Sequence, residues 1–339
     1  MSAAAGVNRW LVAFAVLTIL GWTSPAVAET RVTIGQGALN ATSVALWVAA
    51  DRGYFRAHGI QADLRWIRGG TLATAALLSG EIAFASMSLA QVVGPVSRGA
   101  DLVAVANLAD RFAYRLVSAP SIRDAEGLKG RKVAIATLSG AGYVAARLAL
   151  RHLGLDPARD RIALIQIGGE YERLAALKAG TVDAAVLAPA LAASLPAPPY
   201  RTLVDLSRDR LSWQHTSLVT RRALLRSSPQ RVDAILRAVA EGAAFALDPG
   251  QKDAVKAVIA KELRLSDPAI LENAYQDVLL SVAWKPIPRA EGAAGVLRLL
   301  AEFEIVDGAA HLEPLDLMDP TPMLRLDREG FLDRLRPGH

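Results

Sequence analysis

The chain has 339 residues, a formal net charge of +5 and no cysteine. This composition excludes disulfides, thiolate metal sites and a cysteine nucleophile. Basic residues are scattered along the chain and form no stripe, which argues against a nucleic-acid partner. A chain of this length can bury two separate hydrophobic cores.

The first 28 residues predict a cleavable export signal. Arg9 is the only charged side chain there, and the apolar run at 11–20 is too short to span a bilayer. The Ala-Val-Ala sequence at 26–28 matches a small-residue cleavage site. A buried N-terminal helix is the alternative, but no polar face accompanies the apolar run. We therefore expect cleavage after Ala28 and a periplasmic product.

Strand-like and helical runs alternate along the rest of the chain, the pattern of an α/β protein. We predict strands at 31–35, 62–67, 82–86, 102–107, 113–118, 132–137, 162–167, 184–187, 201–206 and 216–220. We predict helices at 42–58, 71–79, 88–98, 139–153, 230–247, 251–262, 267–282 and 289–302. The tail after Asp307 shows little periodicity and receives no assignment.

One strand–helix–strand unit occurs twice in this pattern. Gly69-Gly70 precedes a short amphipathic helix, a glycine stop at Gly80 and a small-residue strand. Gly168-Gly169 precedes the same elements, with the stop at Gly180. Two copies of one α/β unit predict two similar lobes with a ligand cleft between them.

Polar turns connect several predicted strands to the helices that follow. In an open α/β sheet such turns gather at the carboxyl ends of the strands, where ligands bind. Free N–H groups at helix starts can hold a carboxylate, sulfonate or phosphate without a metal. For a single turn, simple helix capping is the better interpretation, whereas the set of five favours a ligand site. The turns are 37–43, 69–71, 86–88, 138–141 and 168–170.

The turn at Ser139-Gly140 is the strongest candidate of the set, because it follows a clear strand and opens a long helix. It lacks the Lys-Ser/Thr pair of a nucleotide-binding P-loop. Glu170 either contacts a ligand amine or hydroxyl or only complements its helix start. Trp213 either lines the cleft or lies in a partly exposed surface loop. Both alternatives stay open.

No catalytic pattern stands out in the sequence. The five histidines lack metal-ligand spacing, and no Gly-x-Ser-x-Gly elbow occurs. We expect no catalytic residue, no metal site and no cofactor.

Four segments carry a resemblance in combination. They are VTIG at 32–35, WVAADRGYF at 47–55 with HGI at 58–60, GG at 69–70 with LSGEIAFA at 78–85, and LKAGTVDAA at 177–185 with Pro189. In this order they resemble the solute-binding proteins of ABC importers in the nitrate/sulfonate/taurine group, which share the NMT1/THI5-like fold. Some relatives are pyrimidine synthases that rely on a cysteine-rich motif, and that activity does not fit a chain without cysteine.

The resemblance implies a two-lobed α/β architecture, the type II periplasmic binding protein fold, with two hinge crossings. We place the first lobe at 29–117 and 216–339 and the second at 118–215. The implied activity is binding of a small, anionic solute by a monomer that delivers it to an ABC permease. An enzyme acting on a small metabolite and a ligand sensor for a membrane kinase are the alternatives.

The resemblance also implies which turns contact the solute, and Glu170 and Trp213 join them from the residue analysis. The predicted ligand-binding residues are Gln36, Asn40, Thr42, Ser43, Gly70, Thr71, Ser86, Ser88, Ser139, Gly140, Ala141, Glu170 and Trp213.

Overall fold

The computed structural model describes residues 29–37, 40–67, 70–209 and 211–336. The predicted export signal and its cleavage site lie outside the described residues. In the part of the chain that is described, no helix is long and apolar enough to cross a membrane.

Ten strands of the described residues form two five-stranded sheets. They are β1 Thr30–Gln36, β2 Ile60–Trp66, β3 Phe84–Ser88, β4 Leu102–Ala109, β5 Arg115–Ser118, β6 Lys132–Ile135, β7 Ala163–Gln166, β8 Ala184–Leu187, β9 Arg201–Asp205 and β10 Thr216–Arg221. The first sheet has the order β2-β1-β3-β10-β4 and the second β7-β6-β8-β5-β9.

The two sheets share one pattern of strand direction. In each, the first three strands in spatial order are parallel to one another. The fourth strand runs antiparallel to both of its neighbours. The repeated unit in the sequence thus corresponds to two equivalent α/β units.

The chain crosses between the sheets earlier than the sequence boundaries placed it. Strand β5 pairs with β8 and β9, both in the second sheet, whereas residues 115–117 were assigned to the first lobe. The first crossing therefore lies between Ala109 and Arg115. The partner strands of β5 follow it by 66 residues or more along the chain, so its own apolar pattern could not reveal its sheet.

Helices cover the faces of both sheets. They are α1 Val44–Asp51, α2 Tyr54–Ala57, α3 Gly70–Ser79, α4 Ala90–Ser97, α5 Ala141–His152, α6 Glu170–Lys178, α7 Pro189–Ala193, α8 Arg222–Ser227, α9 Pro229–Leu247, α10 Lys252–Leu263, α11 Pro268–Ser281, α12 Ala290–Glu302, α13 Pro314–Leu317, α14 Thr321–Arg328 and α15 Phe331–Arg334. The single helix predicted at 42–58 is divided, because Gly53 adopts a left-handed conformation with φ of 75° between α1 and α2.

The carboxyl-terminal helices pack back on the first sheet. Met323 and Leu326 of α14 lie in one hydrophobic core with Val103 of β4. Met318 forms a parallel bridge to Ala104 at the edge of the same sheet. Helix α11 packs on α7 of the second unit, so it joins the two units.

Candidate functional site

A cavity of about 40 Å³ lies between the two units. This volume holds about three water molecules. Its wall combines the turn before α1, the first crossing, the starts of α6 and α7, the residue before β10, and α11. The lining residues are Asn40, Ala41, Thr42, Arg111, Ala113, Tyr114, Glu170, Tyr171, Ala188, Pro189, Ala190, Leu191, His215, Ile270, Ala274, Asp277 and Ser281.

A chain of hydrogen bonds runs along one wall of the cavity. The backbone N–H of Thr42 donates to Asn40 Oδ1, which identifies this atom as the acceptor. Thr42 Oγ1 also donates to Asn40 Oδ1, so Thr42 accepts from Thr216 Oγ1 at 2.9 Å. Thr216 Oγ1 in turn accepts from His215 Nδ1 at 2.8 Å, and His215 Nε2 accepts from the hydroxyl of Tyr114 at 2.6 Å.

This series of hydrogen bonds assigns one tautomer to His215, with the proton on Nδ1. Burial lowers the pKa of His215 to about 4, so the ring is neutral at physiological pH. Both ring nitrogens are occupied by hydrogen bonds. His215 therefore serves as a structural link between Tyr114 and Thr216, and the amide nitrogen of Asn40 is left to donate.

Glu170 opens α6 and lies on the opposite wall of the cavity. Burial raises the pKa of its carboxyl, although the guanidinium of Arg173, 3.8 Å away, acts in the opposite direction. Arg173 is itself almost fully buried, and its Nε donates to the carbonyl of Val186 at 2.9 Å. Arg173 thus fixes Glu170 from behind the cavity wall.

Asp277 of α11 supplies a second carboxyl to the same cavity. Burial, followed by the negative charge of Glu170, raises the pKa of Asp277 to about 7. No cationic nitrogen lies within 4.0 Å of this carboxyl in the described ranges. Two carboxyl groups from different units therefore face one small cavity, with only Glu170 in contact with a cation.

Three of the predicted ligand residues lie at this cavity: Asn40, Thr42 and Glu170. Gln36, Ser43 and Ser86 lie beneath the turn, where each is at most 3% exposed. Their side chains bond inside the protein, with Trp47 donating to Gln36 and the Ser43 and Ser86 hydroxyls 3.2 Å apart. These side chains position the turn and do not line the cavity.

The glycine turns predicted to bind ligand meet at Gln91 instead. A Cβ on Gly70 would lie 2.3 Å from the Gln91 amide carbon, and one on Gly140 would lie 3.5 Å from its Nε2. Gln91 Nε2 also donates to Thr137 Oγ1 at 3.4 Å, across the two units. The side chain of Gln91 thus fills the space between the two turns.

The other predicted residues of these turns also lie outside the cavity lining. Thr71 is exposed on α3, Ser139 is half-buried, and Ala141 is buried at the start of α5. Ser88 has a buried hydroxyl that finds no partner within the described residues.

Trp213 is a core residue and does not line the cavity, contrary to the cleft interpretation. It is 2% exposed, and its ring packs edge-on against Phe112 with centroids 4.6 Å apart. The cause is a close approach to α12: a Cβ on Gly295 would lie 1.7 Å from the carbonyl oxygen of Ser212. That approach buries the segment before His215.

Helix α11 contributes cavity residues that the sequence analysis missed. Ile270, Ala274, Asp277 and Ser281 recur at helical spacing and form one stripe along it. An acid and a hydroxyl in an otherwise small or apolar stripe were the available signal. Arg111, Tyr114 and Tyr171 were missed as well, and no motif marks them.

Two equivalent α/β units with a cavity between them define the two-lobed periplasmic binding protein fold, as predicted. The chain belongs to the NMT1/THI5-like family, whose sequence profile matches residues 40–252. This confirms the family prediction. A search of curated protein sequences finds no match.

Solved structures share this fold at low sequence identity. The periplasmic nitrate-binding protein NrtA from Synechocystis PCC 6803 is 12% identical, with a TM-score of 0.73 and 91% of each chain covered. The aliphatic sulphonate binding protein SsuA from Escherichia coli is 22% identical, with a TM-score of 0.62, covering 81% of this chain and 88% of its own. The desulfurization enzyme DSZB is 17% identical, with a TM-score of 0.64, covering 88% and 99%.

Proposed function

We propose that this protein is the solute-binding component of an ABC importer, which encloses a small polar solute between its two lobes and delivers it to a permease. The cavity between the units carries the proposal, because residues of both units line it. A solute that contacts both lobes favours their closed arrangement by its differential affinity. Nitrate- and sulphonate-binding neighbours with the same fold support this function.

We take the lobes to meet at the crossings before β5 and before β10, with the remaining boundaries as the sequence predicts. The protein is proposed to work as a monomer in the periplasm. Export is testable directly: the amino-terminal sequence of the secreted protein should begin at Glu29.

The alternative is catalysis, because DSZB shares the fold and is named as an enzyme. In this chain both nitrogens of His215 are already hydrogen-bonded, which leaves that ring no free position for general base catalysis. Binding without turnover is the favoured function, because nitrate- and sulphonate-binding proteins share this fold. Recovery of an added solute unchanged by NMR supports it, and appearance of a product would favour the enzyme.

Lobe closure can be measured with paired spin labels, since the chain has no native cysteine. Leu72 on α3 and Leu138 after β6 are each 58% exposed and belong to different units. We expect a bound solute to shorten and narrow the distance distribution between Leu72→Cys and Leu138→Cys labels.

A control pair within one unit, Leu72→Cys with Leu324→Cys, should show no change on solute addition. The added solutes are nitrate, methanesulfonate, acetate, methylammonium and guanidinium, supplemented by an extract of small metabolites. If none of these solutes alters the distance between the labels on the two units, the result contradicts the proposed function.

A further inference from the structure

The charges at the cavity are unlike those expected around an anion. Glu170 and Asp277 both line it, and an ionised carboxylate can only accept hydrogen bonds. Arg115 pairs with Asp205 at 3.0 Å, and its charge lowers the pKa of Asp277 less than burial raises it. Arg111 lies on the cavity rim and is exposed, so water screens its charge.

The cations present do not offset the burial of these carboxyl groups. Arg173 stands behind Glu170 at 3.8 Å, yet the pKa of Glu170 remains raised. Asp277 has no cation within 4.0 Å among the described side chains. The charges of Arg173 and Arg115 only partly compensate the burial of Glu170 and Asp277, so a further positive charge in the cavity would favour their ionised forms.

An independent observation comes from Ser281, one helical turn after Asp277. It is 7% exposed and lines the same cavity. Within the described ranges no side-chain hydrogen bond is found for this serine, so its hydroxyl can bond a molecule in the cavity that it lines. The hydroxyl can therefore accept from a donor in the cavity, beside two carboxyl groups that already accept from the backbone N–H groups of Ala188 and Ala190.

We propose that the cavity binds its solute through a cationic nitrogen head group, an ammonium, amidinium or guanidinium, held between Glu170 of one lobe and Asp277 of the other, with Ser281 as a further acceptor. This assignment rests on the proposed function and specifies the charge of its ligand. It differs from the anion that the family resemblance implies.

The two carboxyl groups also connect ligand charge to lobe closure. Glu170 stands on α6 of the second unit, whereas Asp277 stands on α11, which packs in the core of the first. Closing the lobes without ligand brings like charges together, and a cation between them replaces repulsion with two attractions. A cation therefore favours the closed state, whereas an anion at the same position opposes it.

Guanidinium and nitrate form a matched pair of probes, because both are planar, trigonal ions of four heavy atoms with opposite charge. Isothermal titration with guanidinium chloride and with sodium nitrate, at the same ionic strength, separates the effect of ligand charge from the effect of ligand shape. The affinity ceiling for four-atom ligands allows a guanidinium Kd as low as roughly 0.04 mM. We expect millimolar or tighter binding of guanidinium and none of nitrate.

Isosteric neutral variants locate the site. Glu170→Gln and Asp277→Asn should each weaken guanidinium binding by about tenfold or more, since charge-assisted hydrogen bonds become neutral ones. Ser281→Ala should weaken it less. Glu172→Gln is the control, because Glu172 is exposed on the same helix and lies outside the cavity. Circular dichroism confirms that each variant is folded.

The pH dependence of wild-type binding provides a readout that needs no variant. The titratable and charged groups near Asp277 are Glu170, Arg111, Arg115, Tyr114, Tyr171 and His215. Because Asp277 ionises near pH 7, guanidinium affinity should rise by up to about tenfold between pH 6 and pH 8.

The outcomes separate the charge assignment from the proposed function. Nitrate binding in place of guanidinium overturns the assignment but leaves solute binding intact. If guanidinium binds but neither Glu170→Gln nor Asp277→Asn weakens its binding, the cation lies elsewhere. That result also overturns the charge assignment. Absence of binding by either ion overturns the assignment as well. The proposed function then fails only if no solute alters the label distance between the lobes.

Discussion

Replacing Asp277 by asparagine should stabilise the ligand-free protein above neutral pH and change its stability little in acid. The substitution keeps the size of the side chain and removes its charge. In the wild-type protein, burial and the charge of Glu170 make ionisation of Asp277 unfavourable. Asparagine avoids that cost, so the gain in stability measures how strongly the surroundings of Asp277 oppose its ionised form.

The magnitude follows from the two pKa values of this carboxyl. Burial raises its pKa from 3.8 to about 7 in the folded protein, a difference worth up to about 4 kcal/mol. Between these values the folded state holds a proton that the unfolded state has released, so wild-type stability falls as pH rises. Above pH 7 both states are ionised and the loss is constant. Asp277 is only half-buried, so 4 kcal/mol is an upper bound.

Urea unfolding followed by circular dichroism at pH 4, 6 and 8 measures this difference. The free energy of unfolding of Asp277→Asn should exceed that of wild type by about 2–4 kcal/mol at pH 8 and by only about 0.5 kcal/mol at pH 4. Asp253→Asn, at an exposed position on α10, is the control and should show no such trend. Equal pH dependence of wild type and Asp277→Asn would refute the reasoning.

Two further predictions concern packing and the buried ion pair. Gly242→Ala should destabilise the protein by about 3 kcal/mol in urea unfolding, because its Cβ would lie 2.1 Å from the carbonyl oxygen of Ala45. Gly142→Ala, whose Cβ would meet only ordinary contacts at 3.6 Å, should be neutral or stabilising, and equal losses in both variants would contradict this. Arg173→Met should cost about 3 kcal/mol and cost more at pH 8 than at pH 5, since it leaves the Glu170 carboxylate without its cation. A loss that does not depend on pH would mean that Arg173 stabilises the protein through its hydrogen bonds alone.

Local patterns in the sequence were sufficient to predict the architecture. Alternating strand-like and helical runs indicated an α/β protein, and the glycine pairs at 69–70 and 168–169 indicated two copies of one unit. Both signals are local, because side-chain periodicity and turn chemistry act over a few residues. The matching order of the two sheets agrees with that interpretation.

The same local signals placed only part of the cavity. Asn40, Thr42 and Glu170 stand at starts of helices that follow strands, and topology brings such positions to one edge. The turn at Ser139-Gly140 met the same criterion, yet it faces Gln91 and lies outside the cavity lining. A helix start recognised in the sequence indicates free N–H groups. It does not show which side chain of the folded protein packs against them.

The sequence alone determined that the chain contains two equivalent α/β units of the NMT1/THI5-like type, since strands, helices and turns follow from neighbouring residues. Only the tertiary structure decided what faces the cavity. It brought Asp277 to Glu170 across 107 positions of the chain, placed β5 in the second sheet and buried Trp213 against α12. Periodicity tells which residues share a helix face, but packing between distant segments decides what that face contacts, and the charge of this site depends on that packing.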